Sequence, residues 1–227
     1  PTFYELLAQN YSLGDGGAPD PVDDVVYQTL LAQNLQSEQV TSRALGWLLQ
    51  LPKQGLQVDA RLFYDRYENL IDVAFVSDGD GNDCIYQFIN QSEAVTLKGV
   101  EFQIEWRPTR STRIYLTPAW ARIHSHDSSI EDSAPPFSFS LLLDQIIDAH
   151  WRTSAGYYHS GAMTWLGGGS RVPASDRLDA RLAYQTRVNG KAVEFWLTGQ
   201  SLLGGQTEFK QFQEAERRFL AGGRVEW

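Results

Sequence analysis

Apolar and polar residues alternate with period two along most of this chain, the spacing that sends successive side chains to opposite faces of a β-strand. Residues 56–67 put Leu56, Val58, Ala60, Leu62 and Tyr64 on one face and Gln57, Asp59, Arg61 and Asp65 on the other. Residues 100–107 set Val100, Phe102, Ile104 and Trp106 against Glu101, Gln103, Glu105 and Arg107. Residues 178–187 oppose Leu178, Ala180, Leu182 and Tyr184 to Asp179, Arg181, Gln185 and Arg187. Helical spacing produces no such faces, so the pattern predicts strands.

Short polar turns join some runs. Pro52-Lys53-Gln54-Gly55 links 41–51 to 56–70, and Pro108-Thr109-Arg110-Ser111 links 98–107 to 112–124. Asn189-Gly190 is a two-residue hairpin signal between 176–188 and 191–202. Other connections, at 72–85, 125–135, 166–175 and 203–214, read as long polar loops. In a closed meander that alternation puts every long loop at one end of the sheet. The first 35 residues are less regular, and Gly14 to Asp24 reads as a loop rich in Gly, Pro and Asp. No internal domain boundary suggests itself, so residues 1–227 are expected to form one segment.

The runs amount to roughly nine or ten strands of about 10 to 15 residues, against a mode of about 5 to 6 in ordinary sheets. Strands that cross a bilayer at a tilt need about 9 to 11. A soluble sandwich and an outer-membrane barrel both produce this alternation, because either a second sheet or lipid can meet the apolar face. Aromatics near strand ends favour the barrel: Trp47, Tyr64, Tyr67, Trp106, Trp120, Trp151, Trp165 and Tyr184. So do the small residues Gly156, Gly161 and Ala162, read as lying within long strands, which are weak core fillers. At the chain's end Phe219, Ala221, Gly223, Val225 and Trp227 share one face, and the last residue is aromatic.

Composition narrows the function. With 28 acidic and 19 basic residues the net charge is −9, which argues against nucleic acid as a partner. One cysteine, Cys84, excludes a disulfide framework and a cysteine-ligated zinc. No run of 18 apolar residues occurs, so no transmembrane helix is expected, a test that says nothing about a barrel. The chain opens on Pro1 and its single methionine is Met163, so it is expected to be part of a longer protein.

Several segments, in order, resemble the carboxy-terminal part of a TonB-dependent outer-membrane receptor. Pro1-Thr2-Phe3-Tyr4-Glu5-Leu6 is similar to the family's P-S-x-Y-E-L stretch, and Asn34-Leu35-Gln36-Ser37-Glu38 with Thr41 to its N-L-K-P-E-x-S/T. Leu62 to Ile71 resembles a F-Y-x-R-x-x-D-L-I strand end. Asn90-Gln91-Ser92-Glu93-Ala94, followed by Lys98-Gly99-Val100-Glu101, resembles N-x-G-x-A and x-G-V-E. Leu197 to Leu203 is similar to L-x-x-x-N-L-F, and the aromatic terminal Trp227 resembles the closing strand, where Phe is usual. Departures are Ser37 for Pro, Ser92 for Gly and Ser201 for Asn.

The resemblance implies an all-β fold: an antiparallel up-and-down transmembrane segment, nine or ten strands of a complete barrel of 22. It also implies that a plug and the TonB-contacting segment lie upstream. Its partners would be the TonB system through that plug, an iron–siderophore or similar scarce ligand, and the lipid bilayer of a bacterial outer membrane. The implied function is energy-coupled uptake, with no enzyme activity and no cofactor. A passive pore or enzymatic outer-membrane barrel is the alternative, followed by a soluble β-sandwich binding module.

Candidate chemistry is sparse. Asp78-Gly79-Asp80-Gly81-Asn82-Asp83 has calcium-loop residue types, but Asp83 and Ile89 stand where an EF-hand loop needs Gly and Glu. His124, His126, Asp127 and Glu131 could approach a transition metal, yet nothing in the pattern fixes a third ligand. Gly167-Gly168-Gly169-Ser170 precedes Arg171-Val172 rather than a helix signature and reads as a loop. Asp59, Glu101, Glu105 and Asp179 are expected to pair across strands with Arg61, Arg107 and Arg181 as the lining of a polar wall. No catalytic, cofactor, metal or ligand residue is assigned.

Overall fold

A computed structural model describes residues 28–30, 35–77, 84–166, 170–207 and 214–226. The strands in chain order are β1 (Gln28–Leu30), β2 (Gln39–Leu51), β3 (Leu56–Glu68), β4 (Ile71–Ser77), β5 (Cys84–Asn90) and β6 (Val95–Trp106). They continue with β7 (Thr112–His124), β8 (Phe137–Ile146), β9 (Trp151–Ser160), β10 (Met163–Thr164), β11 (Arg171–Val172) and β12 (Ser175–Val188). The last are β13 (Lys191–Gln200), β14 (Gln206–Thr207), β15 (Glu214–Ala215) and β16 (Arg218–Glu226). One four-residue helix, α1 (Ser128–Glu131), follows β7.

Nine strands form one sheet in the order β16-β13-β12-β9-β8-β7-β6-β3-β2. Its neighbours are hairpin partners except where the chain leaves the sheet for a small ladder: β4–β5, β10–β11 and β14–β15. The expected all-antiparallel meander is what the large sheet shows. Asn189 and Gly190 both have positive φ, 52° and 82°, the backbone of a two-residue primed turn whose twist matches its strands.

The 72–85 loop is a correction. Ile71–Ser77 and Cys84–Asn90 pair as an antiparallel ladder, because β-branched and aromatic residues flank the acidic 78–83 on both sides. The loops at 125–135, 166–175 and 203–214 likewise carry α1, β11, and β14 with the start of β15. The Asp78–Asp83 calcium-type stretch, most of Gly167–Ser170, Pro1–Leu6 and Trp227 lie outside the described residues.

Where the sequence suggested no boundary, the described residues fall into two compact units, within Pro1–Val40 plus Tyr67–Ala94 and within Thr41–Arg66 plus Val95–Trp227. In the first, β5 sits between β4, antiparallel, and β1, parallel. Asn90 ties that unit together. Its amide nitrogen donates to the carbonyls of Asn69 (2.7 Å) and Gln36 (2.8 Å), and its oxygen accepts from the Gln36 amide (2.7 Å). Alongside, the Ile71 amide donates to the Glu38 carboxylate (2.9 Å) and the Gln91 amide to the Leu70 carbonyl (2.7 Å). Three of the segments that resembled the receptor family thus meet at one side chain.

The second unit has little conventional core. Among the described residues the only buried apolar ones are Val95, Val172 and Ala183. Leu45 is 69% exposed, Phe195 55%, Leu197 54% and Phe219 68%. A sandwich would bury these against a second sheet. Here the sheet is a single layer, so its apolar face remains open among the described residues of this unit.

Candidate functional site: the two faces of the wall

Register decides which side chains share a face. Ile114, Leu116 and Trp120 of β7 face Leu143, Leu141 and Phe137 of β8. The same face continues with Ala155 and Tyr157 of β9, then Leu178, Ala180, Leu182 and Tyr184 of β12. It ends with Val193, Phe195 and Leu197 of β13, opposite Val225, Gly223 and Ala221 of β16. The predicted face of the last strand is therefore in register with its neighbours.

Aromatic rings border this apolar face at both ends. Near the short turns, Trp151 packs on Tyr184 at 4.9 Å between centroids, and His150 stacks on Tyr184 at 5.7 Å. Toward the long loops, Trp120 stacks on Phe137 at 4.8 Å, and Phe139 contacts both Tyr157 and His159 at 5.6 Å. Eight residue steps separate Trp151 from His159, roughly 27 Å of antiparallel strand. At a tilt near 40° that is about 21 Å across the layer, comparable to the apolar band of about 25 Å on membrane barrels.

The opposite face is charged, and one arrangement recurs on it three times. An arginine lies over an aromatic ring, pairs with a carboxylate, and the ring lies against a glycine. Arg61 is 5.6 Å from the Phe63 centroid and 3.1 Å from Glu101, and an added Cβ on Gly99 would fall 2.5 Å from the Phe63 ring. Arg177 is 5.7 Å from the Tyr158 ring and 2.7 Å from Asp179, and a Cβ on Gly156 would fall 2.8 Å from the Tyr158 hydroxyl. Arg181 is 5.3 Å from the Trp196 ring and pairs with Glu194, and a Cβ on Gly222 would fall 2.6 Å from Cε2 of Trp196. The glycine gives the ring room to lie flat, and the guanidinium meets its negative π face.

Other pairs complete this surface. Arg152 binds Asp144 through two hydrogen bonds of 2.9 and 2.5 Å, and Gln185 donates to Glu194 at 2.8 Å. Arg113 lies 3.6 Å from Glu105, which also accepts from Arg107 at 2.5 Å. Of the expected cross-strand pairs Arg61–Glu101 forms, Glu105 instead takes Arg107 two residues along the same run, and Asp59 shares the Arg61 face of β3. Asp179 instead takes Arg177 and the Ser201 amide (2.9 Å), and Arg181 takes Glu194. Asp144, Arg152, Arg177 and Glu194 were not singled out from sequence. Their alternation was readable, but the partner of each depends on register. Such half-exposed pairs contribute about 0–1 kcal/mol each. Collectively they satisfy a polar lining rather than poise a reactive group.

The histidine cluster does not assemble a metal site. His124 lies 3.5 Å from Glu131, and its ring centroid is 6.3 Å from that of His126. Asp127 caps α1 by accepting from the Ser129 amide at 2.8 Å. Ser129, through its side chain and then its amide, holds the Asp127 carboxyl below the usual carboxylate range. Among the described residues no three His, Cys, Asp or Glu side chains converge. In the β8–β9 turn the amides of His150 (2.7 Å) and Trp151 (2.8 Å) likewise hold Asp148 below its ordinary pKa.

A single-layer sheet with one ring-bordered apolar face and one charged face has the anatomy of a barrel wall. Residues 1–200 match the model of the family described as TonB dependent receptor-like, beta-barrel. This chain belongs to the TonB-dependent receptor β-barrel family. In such a barrel the apolar face is the outer one and the charged face lines the interior.

Solved receptors share the fold at low identity. The ferric-catecholate import receptor Fiu of E. coli K12, in its closed form, is 18% identical with a TM-score of 0.62 over 86% of this chain and 30% of its own. The siderophore receptor PirA of Acinetobacter baumannii is 13% identical with a TM-score of 0.63 over 86% and 33%. The copper transporter OprC is 14% identical with a TM-score of 0.59 over 84% and 31%. This chain therefore spans about a third of the length of the solved structures it matches. No curated protein matches its sequence. The family is one of receptors and transporters rather than enzymes.

Proposed function

We propose that this chain is the carboxy-terminal wall of an outer-membrane receptor that takes up a scarce ligand, an iron–siderophore complex being the favoured class. The observation that carries the reading is the exposed apolar face, ring-bordered at both ends, on a sheet whose other face is charged. Exposure of that face to water would be costly at about 25 cal/mol per Å² of apolar surface, whereas lipid removes the cost. The remaining strands of the parent would close the open edges at β2 and β16, since unpaired backbone in lipid costs several kcal/mol per group.

In this reading the long connections face outward and meet the ligand, the charged wall surrounds an upstream plug, and TonB supplies the energy that rearranges it. The chain's own part is mechanical. It holds a fixed frame and performs no covalent step. Siderophore import is preferred because ferric-catecholate and siderophore receptors stand among its structural neighbours, although a copper transporter does as well.

Radio-iron uptake by cells with and without the parent gene tests the reading, in strains with an intact or deleted TonB system. Uptake of one siderophore complex should vanish when either is lost. Unchanged uptake of every siderophore complex would refute the siderophore assignment. TonB-independent diffusion of small solutes through the purified parent would instead assign a passive pore.

A further inference from the structure

Most exposed cations of the charged face are matched by carboxylates, but a group on the apolar face is not. Lys98 of β6 and Arg122 of β7 are direct cross-strand partners. They lie one same-face step beyond the Val100–Trp120 pair, at the loop end of the aromatic border. Like charges directly opposite in an antiparallel ladder repel each other. Both side chains are exposed, as are Arg43 and Arg171. Among the described residues no carboxylate comes within ion-pair distance of any of the four.

Two clefts share Lys98. The first, about 560 Å³, is lined by Lys98, Arg122 and Arg171 together with the apolar side chains of Trp120 and Met163. Glu131 and Asp132 also line it, and Glu131 is turned to His124. The second is a shallow groove with Leu45, Leu62 and Tyr64 of the apolar face in its lining, and Arg43 and Lys98 as its only charges. An anion seated between Lys98 and Arg122 would relieve their repulsion. An acyl chain attached to it would have the Leu45–Leu62–Tyr64 groove to lie in.

We propose that this outer-face surface seats one lipid with a phosphate headgroup, its phosphate bound by Lys98, Arg122 and Arg171 and one acyl chain held in the adjoining groove. The position fits such an occupant. Apolar residues give way to cations on the same face within one step past the aromatic border, the level at which a bilayer exchanges acyl chains for charged headgroups. Headgroup charge complements four cations that no described carboxylate matches, while the groove supplies continuity with the lipid-facing band. The inference rests on the reading of this sheet as a membrane wall.

Native mass spectrometry of the full-length parent in neutral detergent tests it, with diphosphoryl lipid A as the probe. Enzymatically dephosphorylated lipid A and inorganic phosphate serve as the other arms. Wild type should retain lipid A, and K98Q/R122Q should bind it about thirtyfold more weakly, as expected for two cations removed from an anionic headgroup. Dephosphorylated lipid should bind wild type as weakly. K53Q, in a short turn, should match wild type.

Equal retention by wild type and K98Q/R122Q overturns the proposal. Displacement of the lipid by inorganic phosphate alone also overturns it, by making the site one for free anions. Should K98Q/R122Q fail to fold, R171Q is the second variant, expected to weaken binding in the same direction. Gel mobility that changes on heating separates the two levels of inference. A parent lacking it refutes the barrel wall, whereas a heat-modifiable parent that binds lipid without regard to Lys98 and Arg122 refutes only the lipid seat.

Discussion

The packing of Trp196 on Gly222 gives a quantitative test of the charged face. The two residues are direct partners between β13 and β16. A Cβ at position 222 would sit 2.6 Å from Cε2 and 3.1 Å from Nε1 of the indole, so Gly222→Ala must displace the ring or the strand. Overpacking of that kind costs about 1–3 kcal/mol. Alanine recovers about 0.5–1 kcal/mol of backbone entropy relative to glycine in a strand, so the net cost should be about 1–2 kcal/mol.

Removing the indole reverses the sign. With Trp196→Ala in place the new methyl meets no ring, and Gly222→Ala should stabilise by about 0.5 kcal/mol. Trp196→Ala alone should cost about 2 kcal/mol, roughly half the cost of truncating a fully buried aromatic, because the ring is only half-buried. The double-mutant cycle should therefore show a coupling of about 2 kcal/mol. Urea unfolding of the parent in detergent, followed by heat-modifiable gel mobility, measures each corner. Equal costs of Gly222→Ala in both backgrounds, within about 0.5 kcal/mol, would refute the packing argument.

Three other outcomes are expected. Asn90→Ala removes three hydrogen bonds to Gln36 and Asn69 and should lower local stability by about 1–3 kcal/mol, read as faster amide exchange near Gln36 and Gln91 while β7–β9 are unaffected. Asp127 and Asp148 have depressed pKa values in the fold, so their stabilisation is present above the unfolded value of about 3.9 and is lost as pH falls through the folded one. D127N/D148N should therefore flatten the acid limb of the pH–stability curve below about pH 4, and an unchanged limb would disprove these contacts. Brominated acyl chains should quench Trp106, Trp120 and Trp151 but spare Trp196 in single-Trp variants of the parent, and equal quenching of all four would remove the assignment of faces.

Local pattern made much of this fold readable. The alternation in 56–67, 100–107 and 178–187 named the strands and their faces, because side-chain direction in a strand depends on the residue's parity alone. Asn189-Gly190 located its hairpin because few residues accept φ above zero at both turn positions. The β4–β5 ladder escaped notice because acidic, glycine-rich 78–83 dominated the composition of its surroundings. The histidine cluster offered residue types without geometry, and the fold spends Asp127 on a helix cap and places Glu131 beside His124.

By itself the sequence determined that long strands would form, which residues would share a face, and that one face would be apolar and the other charged. Those are properties of a chain with its neighbours in sequence. Tertiary structure decided everything that depends on strand order and register. It chose Glu194 rather than Asp179 for Arg181, set Trp196 on Gly222, and placed Lys98 opposite Arg122. It also gathered Gln36, Asn69 and Asn90 at one point across 54 residues of chain. A one-residue slip would send each of these side chains to the other face, so cross-strand partners are fixed only when the strands pair.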